Sequence, residues 1–406
     1  MQFDLYKSWF KYILPLATFA ILIYGTWAYC HKFCYDQLYK RLHRHATAIV
    51  FMCIECCLSL LIFLMWLQII LLQQPLKQPT VPPYMIFNDN TNSNNRVIST
   101  KPPLYYQCDP NGYPIWCTYC QSLKLERVHH SRQLGYCIFR FDHYCAWIGT
   151  VIGRNNYRLF IQYVFYYNLL LAWIWLSISA FIRSIVTFNE GEDRILNGNI
   201  IVIIILSCIF WLMTGALFVT HIYYMINNKT SLEVLASKHA SKGRGMKIKS
   251  KLELIVNKTE GASAKDENTN ISSNLDTHNK YLCYFNSNDR FRYVFGMTTP
   301  DFNQCWKKDT TRANLNEFLG KNIITWFIPW GSPIRKAGEN QGIQDLEGCL
   351  AEESHRYGVQ KIIGAYGEKL SEKTIENFQQ QITEGNYVTR FQAYGDQIST
   401  QGEQPS

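Results

Sequence analysis

The chain carries little charge for its length. Asp, Glu, Lys and Arg together make up 17% of its 406 residues, against roughly a quarter in ordinary soluble domains. The sequence has no internal repeat, which excludes solenoids and propellers. No small-residue cleavage site follows the first apolar run, as would be expected after a secretory signal peptide. These absences argue against a soluble, repeat-built or secreted protein.

The low charge content goes with several long apolar runs. Four of them are at least about 18 residues long, which is enough to cross the ~30 Å hydrocarbon core of a bilayer as a helix. Tryptophans lie along these runs or near their ends, as membrane anchors often do. The runs cover residues 12–29, 48–72, 159–182 and 200–226. We therefore predict an all-α integral membrane protein with four transmembrane helices and a small cysteine-rich module between the second and third.

The charges that flank the spans predict their orientation. Residues 238–251, after the fourth span, are rich in lysine, whereas the connection 183–194 between the third and fourth spans is net negative. The positive-inside rule then places both termini and the module in the cytoplasm. The basic connection 30–44 disagrees, but zinc-thiolate sites belong in a reducing compartment. Three glycosylation sequons of the tail are accordingly predicted to stay unused: Asn228, Asn257 and Asn270.

The spans and the composition between them divide the chain into five parts. A linker rich in Pro and Asn precedes the module and is predicted to be flexible. The tail is predicted to be partly disordered, above all in its polar stretch after Gly338. The parts are 1–72 (cytoplasmic N-terminus and two spans), 73–104 (linker), 105–158 (cysteine-rich module), 159–227 (two spans) and 228–406 (cytoplasmic tail).

Some of the fourteen cysteines are spaced as metal ligands. Cys117 and Cys120 form a CxxC pair, which is followed by a histidine and then by Cys137. Three thiolates and one imidazole suit a tetrahedral Zn²⁺ ion. Spacing does not choose between His129 and His130, and scattered cysteines of a cysteine-rich chain remain the alternative.

A second pattern, Asp142-His143-Tyr144-Cys145, follows the candidate ligands. A free cysteine has a pKa of about 8.5, so that only a small fraction is thiolate near neutral pH. A neighbouring histidine can take the thiol proton, and an aspartate can orient and stabilise that histidine. This pattern indicates a nucleophilic cysteine. Spacing alone supports equally well a reading in which Cys145 or His143 is a further metal ligand.

Residues 108–160 resemble the cysteine-rich domain of the Asp-His-His-Cys (DHHC) palmitoyltransferases, in a fungal variant that reads Asp-His-Tyr-Cys. The four spans, with the module between the second and third, match that family as well. After the fourth span, Thr230-Ser231-Leu232-Glu233 is similar to its Thr-Thr-x-Glu motif, and residues 314–329 loosely resemble its C-terminal aromatic motif. The matching module positions are Cys117, Cys120, Lys124, Arg127, His130, Cys137, Arg140, Phe141, Asp142, His143, Cys145, Trp147, Gly153, Asn156 and Phe160.

The resemblance implies a protein S-acyltransferase. Cys145 would take a long-chain acyl group, such as palmitate, from acyl-CoA as a thioester and pass it to cysteines of other proteins. His143 would act as the base and Asp142 would hold His143, with ping-pong kinetics as the consequence.

The resemblance also assigns supporting residues. The zinc ligands would be Cys117, Cys120, His130 and Cys137. Trp147 and Phe160 would line a cavity for the acyl chain, although interface aromatics are an equally ordinary reading. Thr230 and Glu233 would support the active site.

The chain departs from the family pattern at its second zinc site. Family members usually bind two zinc ions, and the second set of ligand positions is occupied here by Ser131, Leu134, Tyr144 and Val151. None of these is the usual ligand, and their joint replacement indicates that packing has taken the place of the second metal. We predict one Zn²⁺ per chain. Tyr144 then needs no catalytic role, and contact of its hydroxyl with the substrate is the lesser alternative.

The implied partners are substrate proteins with membrane-proximal cysteines, acyl-CoA and the lipid bilayer, with room for an accessory subunit. The net charge of +9 is attributed to anionic lipid rather than to nucleic acid, because of the spans. The candidate organelles are Golgi, endosome, vacuole and plasma membrane. The alternatives are a non-catalytic zinc-stabilised membrane scaffold, a membrane-anchored zinc-finger ubiquitin ligase and, more weakly, a transporter.

Overall fold

A computed structural model describes residues 2–81, 83–84, 102–188, 197–242, 280–329 and 368–393. The chain divides into two compact units, each described here by itself. Unit 1 comprises Met1–Leu76, His143–Met225 and Leu315–Ile334. Unit 2 comprises Lys77–Asp142, Ile226–Asn314 and Arg335–Ser406.

Unit 1 is built on four long helices, each long and apolar enough to cross a membrane. They agree with the four predicted spans, and the first two continue as π-helical turns, Ala28–Arg41 and Gln68–Leu72. The four helices are α1 (Gln2–Trp27), α2 (His45–Leu67), α3 (Tyr157–Phe188) and α4 (Gly198–Ile226).

Polar side chains tie these helices together, as small hydrogen-bonding residues do where no water competes. Tyr29 and Ser177 are both buried, with their hydroxyl oxygens 2.7 Å apart. Asn168 of α3 donates to the backbone carbonyl oxygen of Trp211 in α4 at 2.9 Å. Tyr24 of α1 donates to Asn199 at the start of α4, also at 2.9 Å.

The connection between the first two spans is mostly helical. The π-helical segment runs to Arg41 and leaves only three residues before α2 begins at His45. Lys32 and Lys40 of this segment lie 3.2 Å and 3.8 Å from the carboxylate of Asp36, one helical turn away. The basic character of the connection is therefore partly neutralised locally.

Two further stretches complete unit 1. A hairpin of β6 (His143–Cys145) and β7 (Thr150–Ile152) precedes α3. The end of α7 (Thr311–Leu319) and α8 (Ile324–Phe327) lie in the third part of the unit. The side-chain amide of Gln162 donates to the carbonyl oxygens of Thr325, Trp326 and Ile328, which fixes the C-terminal aromatic motif on α3.

Unit 2 contains eight strands from distant parts of the sequence: β1 (Tyr105–Cys108), β2 (Trp116–Cys117), β3 (Ser122–Leu123), β4 (His129–Ser131), β5 (Tyr136–Ile138), β8 (Lys280–Asn286), β9 (Phe291–Met297) and β10 (Thr389–Phe391). Four of them form an antiparallel sheet in the order β1-β8-β9-β10. The other four form two small hairpins, β2–β3 and β4–β5. Its helices are α5 (231–242), α6 (Thr299–Phe302), the start of α7, and α9 (Glu372–Glu384).

The sheet corrects the all-α prediction, and α9 is an ordered helix within the tail that is predicted to be partly disordered. Ser371 caps α9 by accepting a hydrogen bond from the backbone N–H of Thr374, and Gly385 ends the helix in the left-handed conformation. Phe378 of α9 is buried and stacks on Phe295 of β9, with ring centroids 4.3 Å apart. A short apolar core therefore orders a stretch whose average composition is polar.

The first residues of the predicted flexible linker are packed rather than free. Gln78 is 4% exposed, and its backbone N–H donates to the carbonyl oxygen of Cys137 at 2.8 Å. Its side-chain amide donates to the carbonyl oxygen of Leu123 at 2.6 Å and accepts from the N–H of Leu125 at 3.1 Å. Residues 85–101 of the linker lie outside the described residues.

Candidate active site and metal centre

The four predicted metal ligands lie together in unit 2. One ligand atom from each of Cys117, Cys120, His130 and Cys137 lies within 4.8 Å of all the others. The three sulfur atoms are 3.7, 3.3 and 4.0 Å from Nδ1 of His130. In tetrahedral Zn²⁺ coordination, a sulfur and a nitrogen ligand are about 3.5 Å apart. The donor set and its dimensions fit one zinc ion.

Local structure explains how these ligands converge. His130 and Cys137 are directly opposed in the β4–β5 hairpin, which brings their side chains to one face. Cys117 ends β2, and Cys120 lies in the tight turn that leads into β3. His129 points to the other face of β4, because side chains alternate along a strand. The structure thus selects His130 over His129, whose pKa burial lowers to about 4.

The thiols of this cluster differ in acidity. Burial alone would raise the pKa of the Cys117 thiol, yet hydrogen bonds from the backbone N–H of Cys120 and from the Cys137 thiol bring it below its ordinary value. Burial raises the pKa of Cys137, and the neighbouring thiols raise it further. A bound cation would supply the positive charge that ionises such a thiol.

Cys145 and His143 lie on the same face of β6, because they are two residues apart in an extended strand. Tyr144, between them, also contributes to the lining of the cavity beside Cys145. Gly149 closes the hairpin with φ of 90°, a conformation that glycine adopts without strain, and its N–H donates to the carbonyl oxygen of Cys145 at 2.8 Å. The two-residue spacing of His143 and Cys145 thus has a structural reason, because it brings both side chains to one face of β6.

The imidazole of His143 is surrounded by side chains from α3 and α4. Its ring centroid lies 5.3 Å from that of Phe160 and 5.7 Å from that of His221. The hydroxyl of Tyr157 is 2.8 Å from Nδ1 of His221, and both residues are buried. Sequence reasoning missed His221 and Tyr157. The sequence does carry a signal for His221, because it is a histidine inside an apolar span, and ionisable groups in such spans rarely lack a function.

A cavity of about 580 Å³ opens beside Cys145 within unit 1. Its size falls in the usual range of ligand pockets, roughly 300–1,000 Å³. Trp147 and Phe160 both line it, as the resemblance implies. The remaining wall is supplied mainly by apolar side chains of α1, α3 and α4, including Ile21, Val164, Tyr167, Phe210 and Leu217. Such a cavity suits a long hydrocarbon chain with its reactive end at Cys145.

The predicted support residues Thr230 and Glu233 form a capping box at the start of α5 in unit 2. The backbone N–H of Glu233 donates to the Thr230 hydroxyl at 3.3 Å, and the N–H of Thr230 donates to the Glu233 carboxylate at 2.9 Å. Glu233 also pairs with Arg127 through two hydrogen bonds of 2.7 Å and 2.9 Å. One carboxylate thus starts a helix and neutralises a buried arginine.

Asp142 is bound by the same capping motif. The backbone N–H of Ser231 donates to its carboxylate at 2.7 Å, and the Ser231 hydroxyl donates to the other carboxylate oxygen at 2.9 Å. The N-terminus of a helix favours a negative charge at this place. Asp142 is 1% exposed and directly precedes His143 in the chain. Ser231 is a further residue that sequence reasoning did not single out.

The positions that the family uses for a second zinc site carry other contacts in this chain. In unit 2 the Ser131 hydroxyl accepts from the N–H of Leu134 at 3.3 Å. In unit 1 Tyr144 and Val151 are cross-strand partners in the β6–β7 hairpin.

Two kinds of comparison with known proteins point to the same family. Residues 111–238 match the model of the DHHC palmitoyltransferase family. The chain is 38% identical over 399 residues to Palmitoyltransferase PFA5 of Saccharomyces cerevisiae, covering 96% of each protein. It is 38% identical over 389 residues to the Candida glabrata protein of that name, again covering 96% of each, and 33% identical over 397 residues to that of Eremothecium gossypii, covering 97% of each. The chain therefore belongs to the DHHC palmitoyltransferase family.

Proposed function

We propose that this protein S-palmitoyltransferase carries the acyl group on Cys145, with His143 as the proton acceptor and donor. The observation that carries the proposal is the shared face of β6, on which Cys145 and His143 both line the apolar cavity. Acyl transfer between thiols needs a nucleophile, a base and an apolar cavity that binds the hydrocarbon chain.

The first half-reaction charges the enzyme. His143 takes the proton of the Cys145 thiol, and the thiolate attacks the thioester carbon of acyl-CoA. The bond between that carbon and the CoA sulfur breaks, and the departing CoA thiolate receives the proton from the His143 imidazolium. The acyl chain then lies in the cavity lined by Trp147 and Phe160.

The second half-reaction repeats these steps with a protein thiol. His143 takes the proton of a substrate cysteine, whose sulfur attacks the acyl carbon on Cys145. The Cys145 thiolate leaves and is reprotonated by His143. One thioester replaces another at each step, so that no further energy source is consumed, and the kinetics are ping-pong.

Asp142 supports the imidazolium that forms in both half-reactions. Its own carboxylate is held by two hydrogen bonds from Ser231, at the N-terminus of α5. Thr230 and Glu233 contribute indirectly, because their capping box fixes that helix terminus. The carboxylate is thus held in place.

Cys117, Cys120, His130 and Cys137 would hold one zinc ion. Bound there, zinc would cross-link the β2–β3 turn to the β4–β5 hairpin and supply folding energy that so small a module lacks. The chemistry of acyl transfer rests on Cys145, His143 and Asp142.

We further propose that the four long helices cross a membrane, with both termini and the cysteine-rich module on the cytoplasmic side. Acyl-CoA and a reducing environment for the thiols are both available there. The apolar residues exposed along α1 and α4, such as Ile23, Leu212 and Val219, would face lipid. Substrate proteins would present cysteines close to the membrane surface.

The test is the acylation of Cys145 in detergent-purified protein. Labelled palmitoyl-CoA is added to wild type and to Cys145→Ser, and each sample is divided for treatment with neutral hydroxylamine, which cleaves thioesters. We expect a hydroxylamine-labile label on wild type and none on Cys145→Ser. Cys283→Ser, a change of a buried cysteine in β8, is the matched control and should keep the label. Absence of label on zinc-loaded wild type would instead favour the scaffold alternative.

A further inference from the structure

A buried cluster of charges in unit 2 connects the cysteine-rich module to the far end of the tail. We propose that Glu368 is a positioning residue for acyl transfer, whose carboxylate holds the segment that leads into Asp142. The proposal rests on the proposed function, in which Asp142 supports His143. Glu368 lies in no motif of the family resemblance and 130 residues beyond the end of the matched family domain.

The contacts of Glu368 are with two arginines of the module. One carboxylate oxygen lies 3.2 Å from Arg140 and 3.8 Å from Arg127. All three side chains are buried, with exposures of 6%, 4% and 1%. Arg140 is two residues before Asp142, so that its guanidinium anchors the chain immediately ahead of the proposed catalytic residues.

Charge balance shows why the tail carboxylate matters. Glu233 binds Arg127 directly, whereas Arg140 receives its ion pair from Glu368. Asn228 bridges the two arginines, since its side-chain oxygen accepts from Arg127 at 3.1 Å and from Arg140 at 2.8 Å. An amide contributes no charge. Removing the Glu368 carboxylate would break a 3.2 Å ion pair with the buried guanidinium of Arg140, and breaking a buried ion pair from one side is strongly disfavoured.

The backbone gives an independent sign of constraint at the same place. Arg127, Arg140 and Asn228 all have positive φ, at 58°, 47° and 49°. Only six non-glycine residues of the described chain adopt such angles. Residues other than glycine persist there when their surroundings over-determine them, and such residues gather at functional sites. Half of these strained residues therefore belong to one charge cluster beside Asp142.

The tail is fixed around Glu368 by bonds that do not involve its charge. The Tyr105 hydroxyl donates to the carbonyl oxygen of Glu368 at 2.5 Å and accepts from the N–H of Leu370 at 3.2 Å. The N–H of Ser371 donates to the carbonyl oxygen of Cys305 at 2.8 Å. Residues 368–371 are thus held by the module and the sheet before α9 begins, and their docking delivers the carboxylate to Arg140.

The experiment compares the rate of Cys145 acylation in full-length Glu368→Gln and wild type, at equal zinc content and over a range of palmitoyl-CoA concentrations. We expect the rate at saturation to fall about ten- to a hundredfold, as small misplacements of catalytic groups do. The half-saturating concentration should stay unchanged, because the cavity lies in other elements. Glu368→Asp, which keeps the charge, should recover part of the rate. Glu376→Gln, an exposed glutamate of α9, is the matched control and should acylate as wild type does.

Three results would overturn the proposal: a wild-type rate in Glu368→Gln, an equal loss in Glu376→Gln, or no recovery in Glu368→Asp. If Glu368→Gln does not yield zinc-loaded protein, Tyr105→Phe carries the test. This change removes the hydroxyl that holds residues 368–371 in place but keeps the Glu368 carboxylate. A lower saturating rate in Tyr105→Phe supports the positioning role of Glu368, and a wild-type rate overturns it. A failure of the proposed function would be recognised separately, because the hydroxylamine-labile label would then persist in Cys145→Ser.

Discussion

The β4–β5 and β6–β7 hairpins have the same dimensions but are held in different ways. Each has two three-residue strands and a four-residue loop that ends in a glycine with positive φ, Gly135 or Gly149. The central pair of the first is His130 and Cys137, two candidate metal ligands. The central pair of the second is Tyr144 and Val151.

The difference shows what a small hairpin needs. Two-stranded hairpins are marginal alone in water, so each requires an outside support. The first can be cross-linked by a metal ion. The second is supported by packing, since Val151 is fully buried and His143 lies against Phe160 and His221. Packing contacts alone can therefore hold the hairpin that carries Cys145.

Removing a ligand from the first hairpin should have the largest effect. Cys137→Ser is expected to reduce bound zinc from one per chain to near zero, and to abolish acylation, because structural zinc supplies roughly 10 kcal/mol or more of folding free energy in small modules. Metal analysis and the acylation assay measure both. Cys283→Ser is again the control and should keep its zinc. Full zinc occupancy in Cys137→Ser would show that the cluster is not the metal site.

Changing a side chain of α4 that lies against the second hairpin should lower the acylation rate. His221→Phe keeps a ring against His143 but removes the nitrogen that faces the Tyr157 hydroxyl. We expect the acylation rate to fall about tenfold, since His143 loses part of its polar surroundings. The zinc content should not change. His239→Phe, at an exposed histidine, is the control, and equal rates in the two variants would exclude a role for His221.

Removing buried apolar volume from the second hairpin should lower the stability of the protein and leave its zinc content unchanged. Val151→Ala removes two buried methyl groups and is expected to lower the free energy of unfolding by about 2 kcal/mol. A thermal-denaturation midpoint in detergent measures the change, with exposed Val388→Ala as the control. If zinc content fell together with stability, packing and metal would not be separate supports.

The smallest effect is expected at the hydroxyl of Tyr144. It is buried and has no hydrogen-bond partner within the described part of the chain, and burial raises its pKa. Tyr144→Phe should therefore change stability by no more than about 1 kcal/mol, in either direction. Its acylation rate should match wild type. A clear loss of rate would instead assign the hydroxyl a role toward the substrate.

The sequence predicted those parts of the molecule whose signals are local. The four spans follow from length and composition, and the metal cluster follows from the spacing of Cys117, Cys120, His130 and Cys137. The common face of His143 and Cys145 follows from a two-residue period once the segment is known to be a strand. The comparisons confirm the family and the acyltransferase activity, whereas the individual site residues stay predictions.

The missed parts depend on contacts between distant residues. Strands β8 and β9 carried a readable signal, two runs rich in Tyr and Phe that flank the polar residues 287–290. Their pairing with β1, far earlier in the chain, had no such signal. Glu368 looks like any surface glutamate of a polar tail, because its partners are known only from the fold. Ser231 was overlooked because capping is a property of backbone geometry.

The sheet of unit 2 also has consequences during protein synthesis. The ring of Phe391, in β10, occupies the space that a side chain on Gly112 would need, so that the last strand fits closely against the turn after β1. Ribosomes add about 5–20 residues per second, and the chain between β1 and β10 therefore takes tens of seconds to appear. Throughout that interval the sheet of the nascent module is incomplete, because β9 lacks its partner strand β10. A chain truncated before Thr389 would leave that state permanent.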